Sequence, residues 1–393
     1  YNLWMLNHYG GNLVHGMEYR HFYLARHLRR LGHRASIVAS TFSHLFSKVP
    51  EARGLVTADT MDGVEFVWLR SPRYQGNGPM RLANMLSYST LAYVAGLERR
   101  LGRPDVILGT SPHPFALLDT LALGRRYRVP TLVEIRDLWP LMLVELGSMS
   151  ASHPLARVFQ WIEEQSFRRA TRVISLWHSA DRYMFEHGLS PDRYRYLPNG
   201  IEPEERPFDG DHPVLTAVKK ARAGGCFTVG YAGSHGFANP MDQVIDACAL
   251  LRERGVDDVH FFMVGDGPSK ADAVARAESQ GLTNLSWHDP VSKDVVMAVY
   301  RELDACFIGL KDLPLFKYGP TPNKLMDYML AARPILYAIR SSYDPVAEHG
   351  LGRSFAPEDG AALADATLEL AALSPEERDA MGPAGYEFAP PEP

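Results

Sequence analysis

Short apolar runs alternate with helical patterns through nearly the whole chain, and this alternation constrains the fold more than any other feature. The predicted strands are 2–6, 34–39, 64–69, 106–109, 131–135, 172–175, 228–232, 260–264, 285–287, 305–308 and 335–337. Helical patterns lie between them, for example at 18–31, 79–99, 114–127 and 155–170. Strand–helix alternation is typical of parallel sheets with crossover helices. The sequence therefore predicts an α/β fold with two doubly wound Rossmann-like domains.

The domain boundary is predicted near Leu197-Pro198-Asn199-Gly200, where proline and Asn-Gly interrupt the periodicity. A chain of 393 residues is too long for one ordinary core. We expect an amino-terminal domain over 1–200, a carboxyl-terminal domain over 201–375, and a tail over 376–393 that packs back on the first domain. Ligands of open α/β sheets bind beyond the carboxyl ends of the strands. Two such sheets facing each other across a cleft would place both sets of strand-end loops on one ligand.

Charge is distributed unevenly along the chain. Residues 1–206 carry 25 Lys and Arg against 19 Asp and Glu, whereas residues 207–393 carry 16 against 27. The first half is rich in arginine, which suits phosphate groups or an anionic surface. Because no long basic run or nucleic-acid motif occurs, nucleic acid is not expected as a partner.

The same bulk features indicate a compartment. Three cysteines without metal-ligand spacing are typical of small buried residues in a reducing environment. No apolar run approaches the roughly 18 residues that span a bilayer. We expect a cytoplasmic protein. The arginines at 20, 26, 29 and 30 leave open a peripheral contact with the inner membrane face, although a solvated helix face is the favoured explanation.

The segment 317–334 carries the strongest ligand signal. Thr321-Pro322 is a helix-start pattern, and Leu325, Met329 and Ala332 fall on one face that can reach a core. Asn323, Lys324 and Asp327 fall on another side. A helix N-terminus attracts anions, Lys324 adds a positive charge there, and Asp327 could accept hydrogen bonds from ribose hydroxyls. The alternative is an amphipathic surface helix with solvated polar residues.

Strand ends of the first half supply further candidates. Gly10 and Gly11 follow the first strand, where glycine lets backbone N–H groups approach a phosphate. Arg136 and Asp137 end the strand 131–135; Asp137 could accept a proton, and Arg136 could hold a phosphate or orient Asp137. A structural Arg–Asp pair remains the alternative. No dinucleotide-binding fingerprint is present.

Strand ends of the second half carry small residues and histidines. Gly233 and His235 follow the strand 228–232 and suit close contact with a diphosphate. Gly265 and Gly267 follow the next strand and allow close packing under a base or ribose. His288 and Val291 end another strand and could frame a nucleobase. Each turn is ordinary alone, but their joint order before Asn323-Lys324 indicates a nucleotide-diphosphate site.

Taken together, these motifs resemble glycosyltransferase family 4, retaining enzymes with the GT-B fold, and within it bacterial surface-polysaccharide enzymes of the fucosamine-transferase type. The resembling segments are 10–20, 134–140, 197–201, 264–268 and 322–328. The resemblance implies transfer of a sugar from a nucleotide-diphosphate donor, usually UDP-linked, to an acceptor hydroxyl, without a metal or other cofactor. The acceptor would be a saccharide or a lipid-linked molecule.

The chain departs from this family at three places. Many members carry two glutamates eight residues apart, but here the positions are Gly319 and Asp327. Many carry an Arg and a Lys in the loop after the first strand of the second domain, where this chain offers only His235 as a possible cation. The histidine of the first-domain loop is replaced by Arg136-Asp137. These departures shift the diphosphate contact to Lys324, to the helix N-terminus and to Arg136.

These considerations predict a role for each candidate. Lys324 and the amides of Gly10 and Gly11 would stabilise the departing diphosphate, while Asp137 positions the acceptor hydroxyl or the sugar. Asp327 would hold the ribose, with Gly265 and Gly267 lining the nucleoside. Two alternatives stay open: a UDP-sugar epimerase of the same fold, and a non-catalytic protein that binds nucleotide sugars.

Overall fold

The computed structural model describes residues 1–16, 18–44, 46, 48–76, 78–111, 113–200, 208–320 and 322–382. The strands are β1 Asn2–Leu6, β2 Arg34–Ser40, β3 Val56–Met61, β4 Val64–Leu69, β5 Val106–Thr110, β6 Thr131–Ile135, β7 Arg172–Ser175, β8 Tyr194–Tyr196, β9 Phe227–Ala232, β10 Val259–Val264, β11 Leu285–His288, β12 Ala305–Gly309, β13 Ile335–Ala338 and β14 Gly352–Ser354. The helices are α1 Arg20–Arg30, α2 Pro79–Val94, α3 Glu98–Leu101, α4 Phe115–Tyr127, α5 Leu141–Glu145, α6 Pro154–Arg169, α7 Asp181–Glu186, α8 Pro213–Ala223, α9 Met241–Glu253, α10 Lys270–Ser279, α11 Lys293–Glu302, α12 Asn323–Leu330, α13 Pro345–His349, α14 Gly360–Ala372 and α15 Pro375–Met381.

The chain divides into two compact units, Tyr1–Pro198 and Asn199–Pro393. In the first unit the sheet order is β3-β4-β2-β1-β5-β6-β7-β8, and every pairing is parallel except that of β3 with β4. Successive side chains of a strand point to opposite faces. Trp4 and Leu6 of β1 accordingly join α2 and α4 in one core, and Met5 joins α1 in the other.

The second unit has a parallel sheet in the order β11-β10-β9-β12-β13-β14. Two cores cover its faces. One contains α8, α11 and α12, and the other contains α9 and α14. The carboxyl ends of these strands therefore carry the loops that the sequence singled out.

The predicted α/β fold with two doubly wound domains is confirmed by this topology. Each predicted strand occurs within one residue of its expected bounds at either end. Three strands were not predicted, namely β3 and the three-residue strands β8 and β14. Among the described residues, no helix is both long and apolar enough to cross a bilayer.

The helix α12 differs from its predicted start. Pro322 occupies the N-cap position with an extended backbone, so the helix begins at Asn323 and not at the proline; Thr321 lies outside the described residues. Leu325 and Met329 are buried as predicted, but the helix ends before Ala332, whose φ of 53° is left-handed.

The described part of the predicted tail packs on its own domain. Met381 of α15 lies against the core that contains α9 and α14. The Arg378 guanidinium donates to the carbonyl of Leu373 at 2.8 Å and lies over the Phe227 ring. Residues 383–393 of that tail lie outside the described residues, as do Met17 and Ile201 of the predicted motifs.

Candidate functional site

Two glycine-containing loops meet at the carboxyl ends of β9 and β10. A Cβ added to Gly265 would lie 1.9 Å from the Gly233 carbonyl oxygen, and one added to Gly267 would lie 2.6 Å from the His235 carbonyl carbon. Gly233 and Gly265 also have φ of 152° and 138°, where other residues are strained. The two loops therefore touch backbone to backbone, which explains why the sequence has glycine there.

Lys324 lies directly against these loops. A Cβ on Gly233 would meet Lys324 Cε at 2.1 Å, and the amine lies 5.0 Å from the centre of the Tyr231 ring. Burial lowers the pKa of Lys324 to about 8, although Asp327 opposes the shift. Among the described residues the Lys324 amine makes no hydrogen bond or ion pair. The Lys324 ammonium thus lies beside the backbone of Gly233 at the N-terminus of α12, and this arrangement is suited to binding an anion.

Tyr231, which the sequence analysis missed, contacts both Lys324 and the loop that follows β9. Its hydroxyl donates to the Ser234 carbonyl at 2.6 Å, and its ring is almost fully buried. The sequence signal that could have identified Tyr231 is an aromatic residue near the carboxyl end of the apolar strand β9.

His235 does not supply the positive charge that the sequence suggested. Its ring is fully buried between Tyr231 and Trp287, with ring-centre distances of 5.8 and 5.5 Å. Burial, together with Lys270 and Lys324, lowers the pKa of His235 to about 4. The imidazole is therefore neutral near pH 7, and its contribution to a diphosphate site would be shape rather than charge.

Lys270 was also missed, and it ties two of the loops together. Its amine donates to the carbonyl oxygens of Gly265 at 2.8 Å and His288 at 3.2 Å, and it pairs with Asp289 at 3.1 Å. The His288 carbonyl accepts a hydrogen bond from the Gly265 amide at 3.0 Å, and the His288 side chain is half-buried. Val291 packs at the margin of the core that contains α11 and α12. Gly265 and His288 are thus brought together, although the sequence had no means to show that a lysine joins them.

Asp327 and Asn323 are already engaged within the second unit. Asp327 forms an ion pair with Lys293 at the start of α11. Asn323 is exposed and accepts a hydrogen bond from Asn199 at 2.6 Å. The predicted ribose contact of Asp327 would therefore have to share the carboxylate with Lys293.

In the first unit, Gly10 and Gly11 are buried at the end of β1. The Gly10 amide donates to the Asn7 carbonyl at 2.9 Å, and a Cβ at Gly10 would lie 2.9 Å from Ile37 Cγ2. Close packing on β2 thus explains this glycine. Because the Gly10 amide already has an acceptor, the predicted use of both amides to hold a diphosphate does not fit this conformation.

Arg136 and Asp137 leave β6 on a firmly held turn. The Ser111 hydroxyl accepts from the amides of both residues, at 2.9 and 3.3 Å, and the Trp177 indole donates to the Arg136 carbonyl at 2.7 Å. Arg136 forms an ion pair with Glu18, whose φ of 78° is left-handed. This pairing corrects the expectation that Arg136 is available for a phosphate, because Glu18 already neutralises its charge.

Asp137 is the titratable group of this turn. Burial raises the pKa of Asp137 to about 6, although the Arg136 guanidinium opposes the shift. A carboxyl group that titrates near neutral pH can take up and return a proton, which is the property expected of a general base.

Behind this turn lies a network that sequence reasoning did not find. The Glu134 carboxylate is fully buried and accepts from Arg20 at 2.9 Å, with His21 at 3.1 Å. Burial would raise the pKa of Glu134, but Arg20 and His21 together hold it well below its ordinary value. The Arg20 guanidinium also donates to the carbonyls of Pro198 at 2.6 Å and Leu197 at 3.0 Å. Arg20 therefore belongs to the interior of the domain and not to a basic surface.

Within the described part of the chain, no three His, Cys, Asp or Glu side chains come together as a metal site would require.

Comparison with known proteins follows the division into two units. Residues 15–200 match the family model described as "Glycosyl transferase 4-like domain", and residues 226–372 match "Glycosyl transferases group 1". A putative colanic acid biosynthesis glycosyl transferase, WcaI of Escherichia coli strain K12, is 23% identical over 263 residues, which are 64% of this chain and 62% of that protein. The match thus spans about three fifths of the curated relative.

Solved structures share the fold. Sucrose-phosphate synthase from Thermosynechococcus elongatus superposes with a TM-score of 0.72 at 14% identity, covering 98% of this chain and 93% of that one. HepE of Anabaena, solved in complex with UDP and glucose, superposes with a TM-score of 0.65 at 15% identity, covering 98% and 94%. The chain therefore belongs to the glycosyltransferases of the GT-B fold, a class of transferases.

Proposed function

We propose that this protein is a retaining glycosyltransferase of family 4, which moves a sugar from a nucleotide-diphosphate donor, UDP-linked, to an acceptor hydroxyl during surface-polysaccharide synthesis. The family matches of both units support the reaction class. The relative named for colanic acid biosynthesis supports a polysaccharide product, and the neighbour solved with UDP and glucose supports the donor.

One observation carries the donor assignment. The half-buried amine of Lys324 has no ion-pair partner among the described residues and lies against Gly233, at the N-terminus of α12. Placing a cation in a partly buried position without a hydrogen bond or an ion pair costs free energy. A diphosphate would repay that cost, because its oxygens can accept hydrogen bonds from the amine and from the helix N-terminus.

The difficult step is departure of the nucleoside diphosphate, because negative charge builds on the leaving oxygen. Lys324 would stabilise that charge, and removing one such donor typically costs about 3–4 kcal/mol. Asp137 would accept the proton of the acceptor hydroxyl, with Arg136 and Glu18 holding its loop. In this proposal protein groups alone supply the stabilising charge, so the reaction needs no metal.

The acceptor is proposed to be a saccharide or lipid-linked hydroxyl bound by the basic first domain, with peripheral contact at the inner face of the membrane. Residues 1–198 carry 24 basic and 16 acidic side chains, which favours an anionic acceptor or surface.

A transfer assay tests the proposal. The protein is incubated with UDP-, GDP- and dTDP-sugars, first alone and then with saccharide and lipid-linked acceptors, and the anomeric configuration of any product is read by NMR. We expect a glycoside of retained configuration, and Lys324→Ala to lower turnover by a factor of about 100 to 1,000. Lys219→Ala, an exposed lysine of α8, is the matched control.

Other outcomes would favour the alternatives. Interconversion of free UDP-hexoses without an acceptor would identify an epimerase. Donor binding by calorimetry without hydrolysis or transfer to any acceptor would identify a non-catalytic binding protein.

A further inference from the structure

Exposed apolar side chains are concentrated in one domain. Among the described residues, 14 large hydrophobic side chains are exposed, and 13 of them lie in the first unit; Phe237 is the exception. The same unit has the net positive charge. Contiguous apolar surface with a basic margin is characteristic of surfaces that bind partners or membranes.

The helix α2 presents the clearest such surface. Leu86, Tyr93 and Val94 are 45%, 42% and 63% exposed, and at 100° per residue they fall within an arc of about 100°. Its opposite side, with Met85, Tyr88 and Ala92, is buried. Arg81 is the single charged residue of this 16-residue helix, and its guanidinium turns to the Tyr9 hydroxyl at 3.2 Å. The outer face of α2 therefore carries no charge.

Arginines border this face at the carboxyl end of α2. The Arg126 guanidinium donates to the Tyr93 carbonyl at 3.2 Å and lies 5.6 Å from the centre of its ring. Arg99 and Arg100 of α3 follow directly and are exposed. Between residues 66 and 104 the sequence has six arginines and one acidic residue, Glu98. An apolar face with this margin complements a surface that is apolar inside and anionic outside.

We propose that the outer face of α2, with Arg99, Arg100 and Arg126, is the surface by which the first domain binds an anionic lipid bilayer. Leu86 and Val94 enter the acyl boundary, Tyr93 lies at the headgroup level, and the guanidinium groups contact lipid phosphates. This inference deepens the membrane contact of the proposed function by locating it. Of the α1 arginines, Arg20 is held by Glu134 inside the domain and does not belong to this surface.

Vesicle co-sedimentation tests the surface. The full chain is mixed with vesicles of equal parts phosphatidylglycerol and phosphatidylcholine, and with vesicles of phosphatidylcholine alone. We expect binding to the anionic vesicles that is at least tenfold tighter than to neutral ones and that weakens with salt. Leu86→Glu combined with Val94→Glu should lower binding at least tenfold. Replacing Arg99 and Arg100 by alanine should lower it about fivefold for each residue.

Leu31→Glu is the matched control. Leu31 is 73% exposed at the end of α1, and α1 packs on the opposite face of the sheet from α2. The affinity of the Leu31→Glu variant for anionic vesicles should therefore stay within about twofold of the wild-type value. Thermal unfolding checks that each variant is folded.

Three results would overturn the surface: no binding of the wild type to anionic vesicles, unchanged binding of the Leu86→Glu, Val94→Glu variant, or a lipid-free dimer that this variant dissociates. UDP binding, measured in parallel by calorimetry, separates the two proposals. A wild-type protein that binds UDP but not anionic vesicles would contradict only the proposed membrane surface. A wild-type protein that binds the vesicles but not UDP would contradict only the donor assignment.

Discussion

Lys324 combines two properties at the scale of a single residue: its amine makes no hydrogen bond or ion pair among the described residues, and burial lowers its pKa to about 8. The charged form is the one that binds phosphate. Its fraction falls as the pH rises through the pKa, so the amine loses its function above about pH 8.

The pH dependence of kcat/KM follows from Lys324 and Asp137, since this parameter reports the free enzyme. The ionised form of Asp137 is needed to accept a proton, so kcat/KM should rise through pH about 6 and fall again above about pH 8. Lys324→Arg should remove the alkaline limb, because a guanidinium stays charged. Asp137→Asn should remove the acid limb together with most of the activity. An unchanged alkaline limb in Lys324→Arg would contradict the assignment.

The sequence showed which residues lie at strand ends, because that information is local. It could not show the pairs that hold the site, since these join distant parts of the chain. Arg20 and Glu134 are 114 residues apart, and Asp327 meets Lys293 from another helix. Such pairing decided the outcome for Arg136, whose charge Glu18 neutralises.

At the scale of elements, the glycine loops after β9 and β10 set the position of Lys324. Gly265→Ala would place a Cβ 1.9 Å from the Gly233 carbonyl oxygen, at a φ of 138°. We expect a loss of about 2–4 kcal/mol in the free energy of unfolding of the second domain, measured by denaturant titration, with UDP affinity reduced.

Gly224→Ala, at the end of α8, is the control for this prediction. Its φ of −79° suits alanine, so the change should be less than about 1 kcal/mol. Equal stability of the two variants would show that the contact between the loops does not hold the site.

The strands were predictable because buried parallel strands are short apolar runs. The sequence did not predict β3 because its residues 58–60 are exposed and two of them, Asp59 and Thr60, are polar. A signal was present, however: Asp62-Gly63, both with positive φ, forms the hairpin turn to β4. The pattern Thr321-Pro322 predicted the helix α12 but misplaced its first residue, because an extended Pro322 stands outside the helix.

At the scale of the whole molecule, the stability of the first domain should depend on pH, because burial raises the pKa of some of its carboxyl groups. Glu163 of α6 accepts from the Tyr183 hydroxyl at 2.6 Å and from the Trp139 backbone, behind the Asp137 loop. Burial raises the pKa of Glu163 to about 8. The folded state therefore keeps a proton that the unfolded state loses above about pH 4.3.

Glu163→Gln isolates this effect, since glutamine resembles the protonated acid. Between about pH 4.3 and 8, the unfolding free energy of the wild type should fall by up to about 1.4 kcal/mol per pH unit relative to that of the variant. Above about pH 8 this difference should change little. Denaturant unfolding of both proteins across this range measures the difference. A difference independent of pH would show that Glu163 is ionised in the folded protein.

Calorimetric titration of UDP and of uridine into the wild type, Lys324→Ala and Lys219→Ala tests whether Lys324 holds the donor diphosphate. If Lys324 holds the diphosphate, its loss should weaken UDP binding at least tenfold and leave uridine binding unchanged, while Lys219→Ala binds both as the wild type does. Equal UDP affinity in Lys324→Ala and the wild type would contradict the claim that the donor diphosphate is bound at the start of α12.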